Sequence, residues 1–358
     1  MSDNNTPPKD SSNNSNGKNQ KKKYVSMSEK KKEIETQGEN QKILRRKKLS
    51  QTFSDADKQP DPVYIYHEMI SEGTLNIIFG NTGIGKTFLG YQIGFDFCKL
   101  GFNVIYACLE LNEKQVRMRY PTVAPPDKFE RLDFNSDYIE QKFEFTNILD
   151  EVRECLDTTE GKTVLIVDNI KAISFVALND TQIAMNIMSE LKRLLLQYQN
   201  DGRMITIIVF AHIKKTDKYR CIEENDLSGA KDVQIYLDNL IAMGQSGQDK
   251  SIKYLVHLKA RNSQKMQGAL ILRHCMDSQG NFYFEEQGLD DEINHLPTRP
   301  ESEAKSGLND FELSVLDIKR SEPEITNYQI GKRLGKQDTQ VKRAMDKIIN
   351  KGLLPPAN

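Results

Sequence analysis

Apolar runs of strand length alternate with segments of helical pattern from residue 61 onward. The helical segments are residues 87–100, which Gly101 ends, and residues 182–199, which carry apolar side chains on one face. Strands that alternate with helices are typical of an α/β domain with a mainly parallel central sheet. The strand candidates in this part of the chain are residues 75–79, 104–109, 163–167 and 205–210.

Four shorter strand candidates follow, separated by turn residues, and we expect them to add to one edge of the sheet as antiparallel strands. A stretch with Pro297, Pro300 and Gly307 comes next and is predicted to be a linker, whereas residues 122–160 show no motif. We therefore expect a first domain over residues 61–289, a linker over 290–308 and a second domain over 309–358. The four strand candidates are residues 240–243, 252–258, 269–273 and 282–284.

The C-terminal segment has the pattern of three helices. Residues 310–320 are largely apolar, and Thr326 is placed to cap a helix over 327–334 that Gly335 ends. Asp338 or Thr339 is expected to cap a third helix that runs to Asn350. A short helix, a glycine turn and a longer helix together predict a helix-turn-helix module.

Composition excludes several classes of protein. The chain has 28% charged and 37% hydrophobic residues and no apolar run near the roughly 18 to 20 residues that a membrane span needs. Its first twenty residues have no apolar core, so no secretory signal is predicted. The five cysteines are scattered without a C-x-x-C pair, which argues against disulfides or zinc and favours a reducing, cytoplasmic setting without a membrane partner.

The charge is unevenly distributed. Residues 1–60 hold 14 Lys and Arg against 8 Asp and Glu, and the rest of the chain holds 36 against 43. The basic segment has low complexity and is predicted to be disordered alone. It is either a solubilising tail or a segment that neutralises phosphates, helical over residues 28–49 when bound.

Residues 80–87 fit the pattern G-x-x-x-x-G-K-[ST] of a P-loop between a predicted strand and a predicted helix. In this loop the glycines let backbone N–H groups surround a β-phosphate, the lysine reaches the β- and γ-phosphates, and the last hydroxyl coordinates Mg²⁺. We therefore predict binding of ATP with Mg²⁺. The predicted nucleotide-binding residues are Gly80, Asn81, Thr82, Gly83, Ile84, Gly85, Lys86 and Thr87.

Two carboxylates at predicted strand ends complete a catalytic set. Asp168 ends the third strand and is placed as the second metal-anchoring residue, although strand-end aspartates often only cap a helix. Because Asn169 follows it, we look for the general base elsewhere. Glu110 is placed at the end of the strand expected beside the P-loop strand, where it could hold the attacking water. The alternative for Glu110 is a surface carboxylate before the next helix.

The order of P-loop, Glu110, Asp168 and the sequence Phe-Ala-His ending at His212 resembles the RecA-like ring ATPases, most of all hexameric helicases of the RepA and DnaB type and their KaiC-like relatives. The resemblance spans about residues 61–284. It implies that His212 senses the γ-phosphate. It also implies that Lys259 and Arg261 form a K-x-R pair that serves the neighbouring subunit's nucleotide in a homo-oligomer, as a hexameric ring. A satisfied interior histidine and a solvated basic edge are the alternatives.

DNA contacts are predicted in two places. In RecA-like folds the loop after the sensor strand faces the channel of the ring, and here that loop carries Lys214, Lys215, Lys218 and Arg220 with Tyr219, which suits a single strand. Nearby acids leave open a merely solvated loop. In the C-terminal module, which resembles a winged-helix domain with residues 352–354 entering a wing, duplex DNA or a docking protein is the expected partner. Its candidate DNA contacts are Lys336, Gln340, Lys342 and Arg343.

Two functions are compatible with these features. The first is an ATP-dependent ring ATPase associated with DNA, a RepA-like replicative helicase of a plasmid or other mobile element. The second is a DNA-binding regulator or assembly factor that binds ATP, turns it over slowly and does not unwind DNA. A nucleotide kinase is disfavoured because no Arg-rich lid segment is evident.

Overall fold

The computed structural model describes residues 46–58, 61–65, 67–108, 111–133, 145–169, 181–214, 216–227, 233–305 and 307–355. The chain divides into two compact units, Met1–Asp61 and Pro62–Asn358. In the first unit the described residues form helix α1 (Leu49–Ala56), which buries none of its residues. Most of the basic tail, including residues 28–45 of its predicted helix, lies outside the described residues.

The second unit is built on a mixed sheet with the strand order β11-β10-β9-β8-β3-β7-β6-β4-β5. A separate antiparallel pair, β1 (Tyr64–Ile65) and β2 (Ile70–Ser71), precedes it. The strands of the sheet are β3 (Leu75–Gly80), β4 (Asn103–Cys108), β5 (Phe129–Leu132), β6 (Thr163–Asp168), β7 (Ile205–His212), β8 (Asn239–Gln245), β9 (Ile252–Ala260), β10 (Ala269–Met276) and β11 (Phe282–Asp290).

Strands β3 to β8 run parallel, and β9, β10 and β11 extend the sheet as antiparallel strands. The predicted antiparallel edge is therefore confirmed for β9, β10 and β11, but wrong for β8, which pairs in parallel with β3. Residues 213–238 explain the difference, because they are long enough for the crossover that a parallel neighbour requires. The segment over 122–160 that showed no motif contributes the edge strand β5.

Helices cover both faces of the sheet. Helices α4 and α5 pack on one face, and α2 packs on the other. Glycines on α2 permit close packing, since a Cβ at Gly90 would lie 2.5 Å from the Tyr106 hydroxyl and one at Gly94 would lie 2.4 Å from the Phe129 ring. The helices of this part are α2 (Lys86–Lys99), α3 (Glu113–Arg119), α4 (Phe145–Thr158) and α5 (Thr181–Asn200).

The C-terminal helices share an apolar core of their own. They are α6 (Glu301–Lys305), α7 (Asp310–Ser321), α8 (Asn327–Leu334) and α9 (Asp338–Asn350). Thr326 caps α8 and Gly335 ends it in the left-handed conformation, as predicted.

Three details of this C-terminal part differ from expectation. Helix α9 is preceded by Gln337 at its N-cap, so Asp338 lies in the first turn and caps nothing. Residues 352–354 form a turn and a bend rather than a wing strand, and a complete winged helix stays a prediction. The segment predicted as a linker contains α6, whose Ala304 is buried in the apolar core. Among the described residues, no helix combines the length and the apolar character of a membrane span.

Candidate nucleotide-binding and catalytic site

The P-loop lies at the carboxyl end of β3, in the centre of the sheet. Gly80 ends the strand, where a Cβ would lie 2.6 Å from the Met243 carbonyl oxygen. Gly83 and Gly85 have φ angles of +74° and +110°, which L side chains rarely adopt. Helix α2 then begins at Lys86, so the first N–H groups of that helix point into the loop, as an anion site requires.

The predicted lysine of the loop is buried against the loop backbone. Lys86 is 7% exposed, and its Nζ donates hydrogen bonds to the carbonyl oxygens of Gly80 at 3.0 Å and Asn81 at 2.8 Å. The ammonium therefore lies inside the curve of the loop, where a bound phosphate would meet it. Thr87 follows in the first turn of α2 and is half-buried.

Asp168 ends β6 and is 2% exposed. The Tyr106 hydroxyl, on β4, donates a 2.9 Å hydrogen bond to its Oδ2. Burial, and secondly the nearby Asp168 carboxylate, hold the pKa of Tyr106 well above its ordinary value, so the hydroxyl stays protonated and can donate. Thr87 and Asp168 are oxygen ligands of the kind that Mg²⁺ prefers, and the residues present fit that ion.

His212 links the P-loop strand to the strand of Asp168. It ends β7 in register with Gly80 on β3. Its Nδ1 lies 3.3 Å from the Thr82 Oγ1, and its Nε2 lies 3.3 Å from the Asn169 Nδ2. The imidazole thus contacts the P-loop on one side and the residue after Asp168 on the other. A side chain in this position can respond to what the loop binds.

Glu110 lies outside the described residues, but the strand before it is placed. Strand β4 runs beside β6, with Cys108 in register with Asp168. The expectation that this strand lies next to the P-loop strand is wrong, since β6 and β7 separate β4 from β3. The chain nevertheless leaves β4 at the sheet edge where Asp168 and the P-loop lie.

The predicted cation pair lies at the opposite end of the sheet. Strand β9 is antiparallel to β8, so its last residue, Ala260, is paired with Asn239, which in turn is paired with Asn76 near the start of β3. Strand β3 is six residues long and ends at Gly80. At ~3.3 Å per residue, its two ends are roughly 17 Å apart. The structure therefore does not bring Lys259 and Arg261 to the P-loop of their own chain.

Both cations are held by the short 3₁₀ turn at Gln234–Tyr236. Lys259 Nζ donates to the Gln234 carbonyl oxygen at 2.5 Å, and Arg261 donates to the Ile235 carbonyl oxygen at 2.8 Å. The Arg261 guanidinium also lies 3.6 Å from Asp238, a buried carboxylate that accepts from Lys192 at 2.8 Å. Burial, and secondly the charge of Arg261, lower the pKa of Lys259 below its ordinary value.

The predicted channel loop is partly tied to its own acids. Arg220 donates to the buried Asp226 at 2.6 and 2.9 Å, and Lys214 donates to the Asn225 carbonyl oxygen at 3.1 Å. Lys218 Nζ lies 4.8 Å from the centre of the Tyr219 ring. Lys215 lies outside the described residues. A DNA contact by Arg220 would therefore require its ion pair with Asp226 to open.

The predicted DNA contacts of the C-terminal module are exposed. Lys336 follows Gly335 in the turn between α8 and α9, and Gln340, Lys342 and Arg343 lie on α9. The opposite side of α9 packs in the core through Val341, Ala344 and Ile348. These four polar residues are thus available at the surface, as a DNA contact needs.

Sequence reasoning missed two side chains that touch the predicted catalytic residues. Tyr106 binds Asp168, but in the sequence it stands inside an apolar run and gives no sign of a polar role. Asn169 contacts His212, although the sequence marked it only as the place where a general base was lacking. Period-two spacing places Tyr106 and Cys108 on one face of β4, which is a signal that could have directed attention to Tyr106.

No family model matches the chain, and no curated protein sequence matches it. Solved structures do. The ATPase domain of a DnaB-like replicative helicase, solved on its own, matches with a TM-score of 0.50 and 12% identity, over 65% of this chain and 96% of that domain. A second DnaB-like replicative helicase, solved in a study of its interactions with primase, matches with a TM-score of 0.50 and 12% identity, over 72% of this chain and 71% of that one. The chain therefore has the RecA-like P-loop fold of these helicase ATPase domains, which confirms the predicted α/β fold class.

Proposed function

We propose that this protein is an ATP-hydrolysing, DNA-associated ring ATPase whose active sites are shared between neighbouring copies. A RepA-like replicative helicase of a plasmid or mobile element is the specific form we favour, with a hexameric ring as the sequence resemblance implies. The proposal is supported by the fold and by the convergence of the P-loop, Asp168 and His212 at one sheet edge.

In this proposal each residue of the chain has a distinct task. The N–H groups of the P-loop and the Lys86 ammonium bind the β- and γ-phosphates, and Glu110 orients the attacking water and accepts its proton. Thr87 and Asp168 would hold Mg²⁺, which when bound neutralises charge on the phosphate oxygens. His212 detects the γ-phosphate and transmits its loss to the loop that follows β7.

The observation that carries the proposal is the position of the cation pair. Lys259 and Arg261 lie at the opposite end of the sheet from their own P-loop. A cation that stabilises charge on the transferred phosphoryl group must touch that group, and such cations contribute several orders of magnitude in rate. The pair can therefore act only on nucleotide bound by another copy, which requires an oligomer.

Mixing two inactive variants tests the shared site. Arg261→Ala protein should bind ATP but hydrolyse it at least about a hundredfold more slowly. Lys86→Ala protein should lose nucleotide binding but keep an intact cation pair. In a mixture, some interfaces combine an intact P-loop with an intact pair, so ATPase activity should reappear.

The matched control is Arg333→Ala, which removes an exposed cation paired with Glu322 on the C-terminal module. It should leave hydrolysis near the wild-type rate. A mixture of the two inactive variants that stays inactive, although both are folded and co-assemble, would refute the shared site. Full hydrolysis by a dilute monomer would refute it as well.

The regulator remains the second candidate because the C-terminal module presents a basic helix from a folded core of its own. A strand-displacement assay on a forked duplex with ATP and Mg²⁺ separates the two functions. Unwinding that is lost in Glu110→Gln supports the helicase. ATP-dependent assembly without unwinding, unchanged in Glu110→Gln, supports the regulator.

A further inference from the structure

A cleft of about 460 Å³ opens between the loop that follows β7 and the last helix, α9. The two sides are far apart in sequence, so the site exists only in the folded chain. A cleft of this size admits a unit as large as one nucleotide and excludes a duplex. Its lining residues are Asp217, Arg299, Arg343, Asp346, Lys347, Asn350 and Lys351.

The lining is more cationic than the domain around it. Four of the seven residues are Lys or Arg and two are Asp, whereas residues 61–358 hold 36 Lys and Arg against 43 Asp and Glu. Arg343, Lys347 and Lys351 are spaced by four residues and therefore lie along one face of the helix. Arg299 meets this face from the segment before α6. The local charge favours a polyanion.

One side of the cleft already holds an anion. Arg299 forms an ion pair with the Asp217 carboxylate, and its guanidinium lies 4.4 Å from the centre of the Tyr219 ring. A phosphate offers the same guanidinium the same pair of oxygen acceptors. Because exposed ion pairs contribute little to stability, a phosphodiester can replace Asp217 at Arg299 at small cost.

Tyr219 adds the second element of a single-strand site. Its ring lies next to the cleft, with Lys218 and Arg299 close to it. Proteins that bind single strands combine a cationic groove for the backbone with aromatic rings on which bases stack. A duplex offers no unstacked base to such a ring.

We infer that this cleft binds the backbone of single-stranded DNA, with Arg299 and Arg343 as its phosphate contacts and Asp217 as an internal mimic of the phosphate. The inference rests on the DNA association in the proposed function and names a site for it. In this arrangement the cleft side of α9 faces the ATPase domain, not a major groove. Binding would release Asp217 and so move the loop that follows β7.

The test measures binding of a labelled oligothymidylate by full-length protein at several salt concentrations, without ATP. Arg299→Ala and Arg343→Ala should each weaken binding several-fold, and each should reduce the salt slope by about 0.7, the value for one single-strand phosphate contact. Asp217→Asn should tighten binding several-fold because the competing carboxylate is gone. Lys332→Ala, an exposed cation outside the cleft, should leave binding unchanged.

Each outcome decides the inference. Unchanged binding in Arg343→Ala and in its charge reversal, Arg343→Glu, overturns it even if Arg299→Ala fails to fold, since Arg343 is exposed. Equal loss in Lys332→Ala overturns it in favour of general charge attraction. Loss of duplex binding in Lys342→Ala with unchanged single-strand binding in the cleft variants assigns DNA to the helix-turn-helix face instead. ATP hydrolysis that needs Arg261 would survive all of these failures, so the proposed function is judged separately.

Discussion

The Tyr106 hydroxyl holds one carboxylate oxygen of Asp168 where β4 and β6 run side by side. The tyrosine is fully buried, its ring stacks on Tyr91 with centres 4.5 Å apart, and its hydroxyl has little freedom to turn away. A buried donor to a carboxylate fixes the direction of the remaining lone pairs. We therefore assign Tyr106 as a positioning residue that acts through Asp168.

Tyr106→Phe should keep the fold and weaken the use of Mg²⁺. A hydrogen bond to a charged group is worth about 1.5–3 kcal/mol, so the Mg²⁺ concentration for half-maximal ATPase rate should rise about tenfold or more. Tyr91→Phe is the matched control, because its buried hydroxyl has no hydrogen-bond partner among the described residues. Titration of ATPase rate with Mg²⁺, alongside thermal melting, measures both. Equal Mg²⁺ dependence in the two variants would contradict the assignment.

At the scale of elements, apolar runs predicted where strands lie but not which strands pair. Pairing depends on the chain between strands, so β8 was placed with the antiparallel strands although residues 213–238 allow a parallel crossover. Strand β5 escaped prediction because it alternates polar and apolar residues and is only four residues long. The P-loop was predictable because its backbone conformation demands glycines at fixed positions, whereas the partners of Asp168 and His212 come from distant strands.

The end of β9 and the turn at Gln234–Tyr236 together make Lys259 sensitive to pH. Burial and the adjacent Arg261 lower the pKa of Lys259. A lysine carries its charge below its pKa, so this cation is lost at a lower pH than an exposed lysine would require. Hydrolysis that depends on the cation should therefore decline early as the pH rises. Lys259→Arg, which stays charged, should move the alkaline decline to higher pH and be several-fold more active there relative to its own maximum.

Lys253→Arg is the control for the pH profile. Burial lowers the pKa of Lys253 also, but this lysine lies near the start of β9 and donates to the Gln245 side chain. Its replacement should leave the alkaline decline in place. If both variants shift the profile alike, the decline reports general charge in the sheet and not the cation pair.

For the whole molecule, the two ends of the sheet imply that nucleotide joins the copies together. The P-loop of one copy and the cation pair of the next would meet across the triphosphate, and the γ-phosphate is the group that both touch. A non-hydrolysable ATP analogue with Mg²⁺ should therefore promote assembly at a lower protein concentration than ADP does, by about tenfold for one additional charged contact. Sedimentation velocity across a range of protein concentrations measures the difference.

Two variants separate this linkage from simple self-association. Lys86→Ala should assemble equally with either nucleotide because it binds neither, and Arg261→Ala should lose the advantage of the ATP analogue while still binding it. A ring held together by other surfaces would assemble at the same concentration with both nucleotides. Since the γ-phosphate is lost in each round of hydrolysis, the same contact that stabilises the interface would loosen it once per turnover. The cation pair would thus couple chemistry at one copy to movement of its neighbour.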